Sequence, residues 1–272
     1  MHARLCAFVA ALLVVCGVAD AQPRNGRLRL LAAELPPYAF QMPSGSMTEA
    51  PGPGQGFVYE IVAEMARRVG HSGLIEFMPW AEAQRIAMSE PDVGILALTR
   101  SPEREDKYRW LAKILTDDLI LVGGQGIDVS ALDKVKERPV GVLARSGAEA
   151  LLRERGFTRV RPQPEEWINA RLMQQRRIDA WLAPRLMVIY AMLETGGALP
   201  ALNFGEIVRR SEIYLAASKD LPDAQARPWE QALEAMRADG TYQRIADKYS
   251  RMKVEPIANE LRLRFAEPVW EW

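Results

Sequence analysis

Cysteine and histidine are almost missing from this chain. Its 272 residues include two cysteines, Cys6 and Cys16, and two histidines, His2 and His71. Three of these four fall in an N-terminal stretch that reads as a leader. "MHAR" gives a short positive start, "LCAFVAALLVVCGV" is an apolar run of fourteen, and "ADA" puts small residues ahead of a cut after Ala21. The run is too short for a comfortable membrane span. Cys16 raises a lipoprotein anchor as a rival, but the residue before it, Val15, is branched where that cut wants a small one. The expectation is a signal peptide over 1–21, export to the periplasm and no lipid anchor.

Removing that leader leaves a chain from Gln22 with no cysteine and with His71 alone. Disulfides, thiolate nucleophiles, Cys/His zinc sites and His-pair metal sites are excluded for it. No metal and no cofactor are expected. A charge of one sign is missing too: 35 Lys and Arg face 35 Asp and Glu, giving zero formal net charge. The basic residues are dispersed, so neither nucleic acid nor an anionic membrane is an expected partner. What remains is an ordinary globular composition, 49% hydrophobic, long enough for one large domain or two modest ones.

Short apolar runs alternate with amphipathic stretches along the rest of the chain. "LRLLAA" reads as a buried strand. "GFVYEIVAEMARRVG" sets Phe57, Ile61, Val62, Met65 and Val69 on one helical face and stops at Gly70. "LIEFM", "WAEAQRIAMS" and "VGILAL" continue as strand, helix, strand. A second series follows: "LILVGG" and "PVGVLAR" extended, "SGAEALLRERG" helical with Ser146 as cap and Gly156 as stop, "TRVRP" a short strand. Then come "PEEWINARLMQQRR" as helix, "IDAWLA" as strand, "RLMVIYAMLETGG" as helix and "SEIYLAAS" as strand. Two helices, "WEQALEAMRADG" and "TYQRIADKYS", close the pattern. This rhythm predicts an α/β fold with parallel or mixed sheets covered by helices. "QMPSGSMTEAPGPGQG" reads as a surface loop, and the tail "VEPIANELRLRFAEPVWEW" as a segment packed on a lobe.

The order of these motifs resembles the bacterial periplasmic solute-binding proteins of family 3, the polar amino-acid-binding type. The resemblance is carried by "LRLLAAELPPYAF", "GFVYEIVAEMARRVG", "PDVGILALTRSPERED", "RPVGVLARSGAEALL", "RRIDAWLAPRLMVIYAML" and "ALEAMRADGTYQRIADKYS", over roughly residues 28 to 250. It implies a two-lobed periplasmic binding protein fold with two hinge-crossing strands, near Asp118 to Gly123 and Ile213 to Ser218, and a ligand cleft between the lobes. Lobe 1 would comprise 22–118 plus 218–250, lobe 2 would be 119–217, and 251–272 a tail. It further implies a monomer that captures a small anionic or zwitterionic carboxylate, by hinge closure, for an inner-membrane ABC permease or a sensor.

Candidate ligand-binding residues follow from the resemblance and from local chemistry together. Ser101 can cap a helix and Pro102 fits its first position, with Glu103 and Glu105 suiting the positive end. Arg104 is electrostatically misplaced there. Its planar fork grips a carboxylate with two parallel bonds, which is the role the resemblance implies; the alternative is a surface pair with Glu103, Glu105 or Asp106. Thr99 matches a ligand-binding hydroxyl or is a plain strand-end threonine. Trp80 is an aromatic wall over the ligand or part of the core. Ser146 and Gly147 open a helix whose free amides form an anion site, with Arg145 beside them where the family usually has a small residue.

Two departures weaken the amino-acid assignment. The family's ammonium-binding acid is replaced by Pro184, followed by Arg185, and Leu35 stands where an aromatic is common. Glu34, at a strand end, is the candidate substitute for the lost acid; otherwise it is a loop carboxylate in water. Glu34 is also the one attractive acid or base for the competing reading, an exported enzyme like the cyclohexadienyl dehydratases. His71, between a helix and a strand, reads as part of a surface turn. The expectation is a binding protein rather than an enzyme.

Overall fold

The computed structural model describes residues 28–41 and 53–250. The leader over 1–21, the tail over 251–272 and most of the Pro/Gly/Ser loop lie outside the described residues. Among the described residues no helix is long and apolar enough to cross a membrane.

The first apolar run forms β1 (Arg29–Ala32), and a short hairpin of β2 (Phe40–Gln41) and β3 (Gly54–Gln55) follows. Helix α1 (Phe57–Arg68) buries Phe57, Ile61, Val62 and Met65, the face that its 3.6-residue spacing predicts. Then come β4 (Ile75–Phe77), α2 (Trp80–Ser89) and β5 (Val93–Thr99), the last buried along nearly its whole length. A 16-residue strand, β6 (Tyr108–Gly123), leads into β7 (Val140–Leu143), α3 (Gly147–Glu154) and β8 (Val160–Gln163). Helix α4 (Glu166–Gln174), β9 (Ala180–Pro184), α5 (Arg185–Glu194) and a second 16-residue strand, β10 (Asn203–Ser218), come next. Helices α6 (Asp223–Ala238) and α7 (Thr241–Ser250) end the described chain.

These strands hydrogen-bond in the order β4-β1-β5-β10-β6-β9-β7-β8. β1 runs parallel to β4 and β5, and β7 parallel to β8 and β9, so each end of the sheet is a parallel α/β unit. In the middle, β6 and β10 pair antiparallel from Tyr108 with Ser218 to Gly123 with Asn203. They are common to both halves. One core of buried side chains packs α1, α2, α6 and α7 against β1 and β5. The other half has two smaller cores, one on each face of its strands.

The two long strands extend well beyond the crossing segments expected from sequence, by about ten residues at their outer ends. Register shifts in β10 near Ile207, Ile213 and Leu215 explain why. Each bulge resets the in–out alternation on which strand recognition depends. Helix α6 likewise starts six residues ahead of "WEQALEAMRADG" and carries Pro228 in its first turns. The turn after "LTR" is a correction of a different kind. Pro102–Arg104 is one 3-10 turn, and Ser101 makes no side-chain cap bond; its hydroxyl belongs to a residue lining the cleft.

Asp117, fully buried in β6, ties the halves together. Its carboxylate accepts from the Tyr38 hydroxyl of the first lobe, from the Leu186 amide at the start of α5 (3.2 Å) and from the Asp118 amide (2.8 Å). A buried carboxylate that loses a donor is costly, about 1.5–3 kcal/mol for a bond to a charged group. Tyr38→Phe is therefore expected to lower the melting temperature by several degrees while leaving the circular dichroism spectrum native. An unchanged melting curve would show that the Tyr38 hydroxyl adds nothing to this junction.

Candidate functional site

Between the halves, where β5 ends and α3, α4 and α5 begin, lies a cavity of about 60 Å³. Its lining comes from both sides: Trp80, Thr99 and Arg104 from one, Ser146, Gly147 and Pro184 from the other, with Arg209 and Ser211 from β10. Five sequence candidates thus meet here, Trp80, Thr99, Arg104, Ser146 and Gly147. The other three do not line it. Arg145 sits in an open groove on the far side of Arg104, Glu34 lines a neighbouring cavity, and Arg185 lies with its guanidinium 5.8 Å from the Phe204 ring centre.

The local backbone explains how these groups converge. β5 bulges opposite β10: Leu98 faces Tyr214 and Ile95 faces Ala216, leaving one extra residue on β5. Ala97, at φ 58°, holds a left-handed conformation that an L residue seldom adopts. Such a bulge re-aims a strand end, here the segment carrying Thr99. On the other side, Arg145 at φ 56° turns the chain out of β7 and into α3. The Ser146 hydroxyl accepts from the Glu149 amide at 3.2 Å, the cap expected from sequence. Among the described residues the Gly147 and Ala148 amides have no backbone acceptor, and both residues line the cavity. Free amides at a helix start are the groups an anion could use.

Arg104 does not form the surface ion pair. Glu105 is bound instead by Arg100, with Nη2 to Oε1 at 2.5 Å. The Arg104 guanidinium meets only neutral acceptors among the described residues: the Thr99 carbonyl at 3.2 Å, Gln84 Oε1 at 2.8 Å and the Arg145 carbonyl at 3.5 Å. Gln84 in turn donates to the Arg145 carbonyl at 3.2 Å, so one amide and one guanidinium bridge the two halves. Burial pulls the Arg104 pKa below its ordinary value; Tyr108 and the negative charge of Glu103 oppose that shift, and the positive Arg209 adds to it.

Two residues of the site were not singled out from sequence. Arg209 lies in the part of β10 hidden by bulges, and it faces the same cavity. Glu166 reads in "PEEWINA" as an ordinary first-turn acid, with nothing in the spacing to separate it from Glu165. In the structure it is 6% exposed, and burial pushes its pKa up to about 7, against bonds from Asn169 Nδ2 (2.7 Å) and Trp181 Nε1 (2.9 Å). His71 is structural: Nε2 contacts the Leu28 carbonyl at 2.7 Å and Nδ1 accepts from the Gly73 amide at 3.0 Å.

Two α/β units sharing a pair of crossing strands, with a polar cleft between them, define the class of two-lobed binding proteins. The chain belongs to the bacterial extracellular solute-binding proteins, family 3, whose family model matches residues 32–252. Similar solved structures include a histidine kinase sensor domain similar to periplasmic binding proteins (TM-score 0.71, 18% identity, 83% of this chain and 96% of that one). An ABC uptake transporter substrate-binding protein from Streptococcus pneumoniae with bound histidine has a TM-score of 0.71 at 14% identity, over 85% and 95% of the two chains. The GluR0 ligand-binding core from Nostoc punctiforme, in complex with L-glutamate, has 0.68 at 20%, over 81% and 98%. At these identities the likeness is one of fold. No curated protein sequence matches the chain.

The buried carboxyl makes stability depend on pH. Folded Glu166 keeps its proton up to about 7, whereas the unfolded group loses it near 4.5. Between those values the folded state binds more protons, so this group's contribution is full below 4.5 and is lost as pH rises through 7. The loss is about 3 kcal/mol by pH 8. Glu166→Gln, which keeps an oxygen for Asn169 and Trp181, should match wild type at pH 4.5 and melt about 5 °C or more higher at pH 8. Parallel melting-temperature profiles for the two proteins would contradict the assignment.

Proposed function

We propose that this chain is an exported receptor, not an enzyme. It captures a small carboxylate-bearing solute, an amino acid or related organic acid, between its lobes and presents it to an ABC-type permease or a sensor. The observation that carries this reading is Arg104. It faces the cleft cavity without an acidic partner among the described residues, beside Arg209, and the uncapped amides of Gly147 and Ala148 line the same space. A carboxylate entering there would replace Gln84 and the Arg145 carbonyl as acceptors. It would meet the guanidinium fork on one lobe and a helix N-terminus on the other. Thr99 and Ser211 supply hydroxyls, and Trp80 an apolar wall. Because its contacts would span both lobes, such a ligand favours the closed arrangement over any open one.

The N-terminal sequence supports a signal peptide and thus a periplasmic location, in keeping with the extracellular character of the family. The absence of the usual ammonium-binding acid, Pro184 being in its place, supports a ligand whose positive group, if present, is held elsewhere.

One observation favours catalysis instead: Glu166 lines the Arg104 cavity with a pKa near neutrality, where a carboxyl serves as general acid or base. This displaces Glu34, which lies outside that cavity, as the acid to test. Its two bonds to Asn169 and Trp181 support a structural role.

A thermal-shift and calorimetric comparison separates the readings. Carboxylates that raise the melting temperature of the wild type should bind Arg104→Ala at least about tenfold more weakly, the value of a charge-assisted bond. Arg104→Lys should recover only part of that loss. Equal affinity in a folded Arg104→Ala variant contradicts the clamp. Turnover of prephenate or arogenate that vanishes in Glu166→Gln would replace the receptor with an enzyme.

A further inference from the structure

We infer that the open groove on the outer side of Arg104 is a second anion subsite, so that the ligand carries two acidic groups a few atoms apart, as a short dicarboxylate does. This rests on the carboxylate reading of the Arg104 cavity, with which the groove shares Ser101, Arg104, Ser146 and Gly147. The groove has a volume of about 330 Å³, and both lobes form it. Gln84, Lys107 and Tyr108 line one side, and Arg145, Glu149 and Arg153 the other. Arg104 borders both spaces, held by Gln84 Oε1 at 2.8 Å. A carboxylate that takes the place of Gln84 there has its far end beside the groove.

The charges of the groove do not balance. Arg104, Lys107, Arg145 and Arg153 line it, against Glu103 and Glu149. Glu149 is already engaged: it accepts from Arg153 Nη2 at 2.7 Å and from the Arg145 amide at 2.6 Å. The charge of Glu103 acts on Arg104 and on Arg209. Lys107 and Arg145, one on each lobe, have no salt-bridge partner among the described residues. Arg145 also stands where its residue type is disfavoured. Its φ of 56° is left-handed backbone, which glycine adopts freely and an arginine does not. Strain of this kind gathers at ligand sites, and here it sets a cation at the edge of the groove.

Tyr108 points to an occupant independently of charge. It is 4% exposed, it lines the groove, and its hydroxyl has no hydrogen-bond partner among the described residues. Hydroxyls of buried side chains are normally paired. This one is a donor available to a ligand oxygen. An acidic group in the groove meets Lys107 and the Tyr108 hydroxyl from one lobe and Arg145 from the other. A neutral or cationic far end leaves both cations without a counter-charge. Contacts to both lobes at this second place add to those at Arg104 and favour the closed arrangement further.

Calorimetric titration of the chain with succinate, glutarate and glutaramate tests this. Glutaramate has the shape of glutarate with one carboxylate replaced by a neutral amide. The better of the two dicarboxylates should bind at least about tenfold more tightly than glutaramate in low salt, and the ratio should fall as salt is added. In Lys107→Gln and in Arg145→Gln the ratio should drop to about threefold or less, with ligand-free melting curves confirming that each variant folds. Glutaramate binding as tightly as both dicarboxylates overturns the second subsite. So does a preference for the dicarboxylate that persists in both variants. In either case, weaker glutaramate binding by Arg104→Ala leaves the carboxylate clamp standing. A dicarboxylate preference that depends on Lys107 and Arg145 but is untouched by Arg104→Ala supports the groove and rejects the clamp. No binding of any of the three rejects both.

Discussion

A guanidinium withdrawn from bulk water needs acceptors, and those around Arg104 are all neutral. Two carbonyls and one amide oxygen satisfy its geometry without balancing its charge. Of the acids nearest in sequence, Glu105 belongs to Arg100, and Glu103 acts on Arg104 through its charge without a direct bond. Removing a cation from water without a counter-charge is unfavourable, and Arg209 adds a second positive group at the same cavity. This setting is what supports the proposed carboxylate ligand. It also draws the lobes together, since the Arg145 carbonyl that Arg104 and Gln84 share belongs to the opposite side of the cleft.

The fold provides for that arrangement through β6 and β10. Because both strands belong to both halves, side chains along them sit at fixed places relative to each lobe. Asp117 on β6 gathers Tyr38 from one lobe and the start of α5 from the other, and Arg209 and Ser211 on β10 face the cavity directly. Either side of this axis the charge separates. Arg104, Arg209 and the start of α3 line one cavity, and Glu34, Glu165, Glu166 and Glu194 line its neighbour. Glu166 stands at the boundary, and its raised pKa reflects the cost of keeping a carboxyl there.

Much of this was legible in the chain. The helical face of α1, the ends of α2 and the cap at Ser146 follow from spacing and residue type, and the run of motifs identified the family and its two lobes. The hinge strands were only half visible, because bulges break the alternation that marks a strand. Arg104 was noticed as a cation in the wrong place for a helix start. Its actual setting, a single 3-10 turn lacking a side-chain cap, was not readable, nor was the partnering of Glu105 with Arg100. Glu166 and Arg209 were missed for a common reason. Neither has a local signature, and each gains its character from burial or a shared cavity created by elements distant in sequence. Arg145 and Arg185 illustrate the converse: adjacency in sequence to site residues did not bring their side chains into the cavity.

The most direct test of the central claim is a crystal structure of the chain with a carboxylate that raises its melting temperature. The account predicts carboxylate oxygens about 2.7–2.9 Å from the Arg104 guanidinium nitrogens, with Gln84 displaced from that contact. A bound ligand with Arg104 still held by Gln84 and the Arg145 carbonyl, and its carboxylate elsewhere, would contradict it.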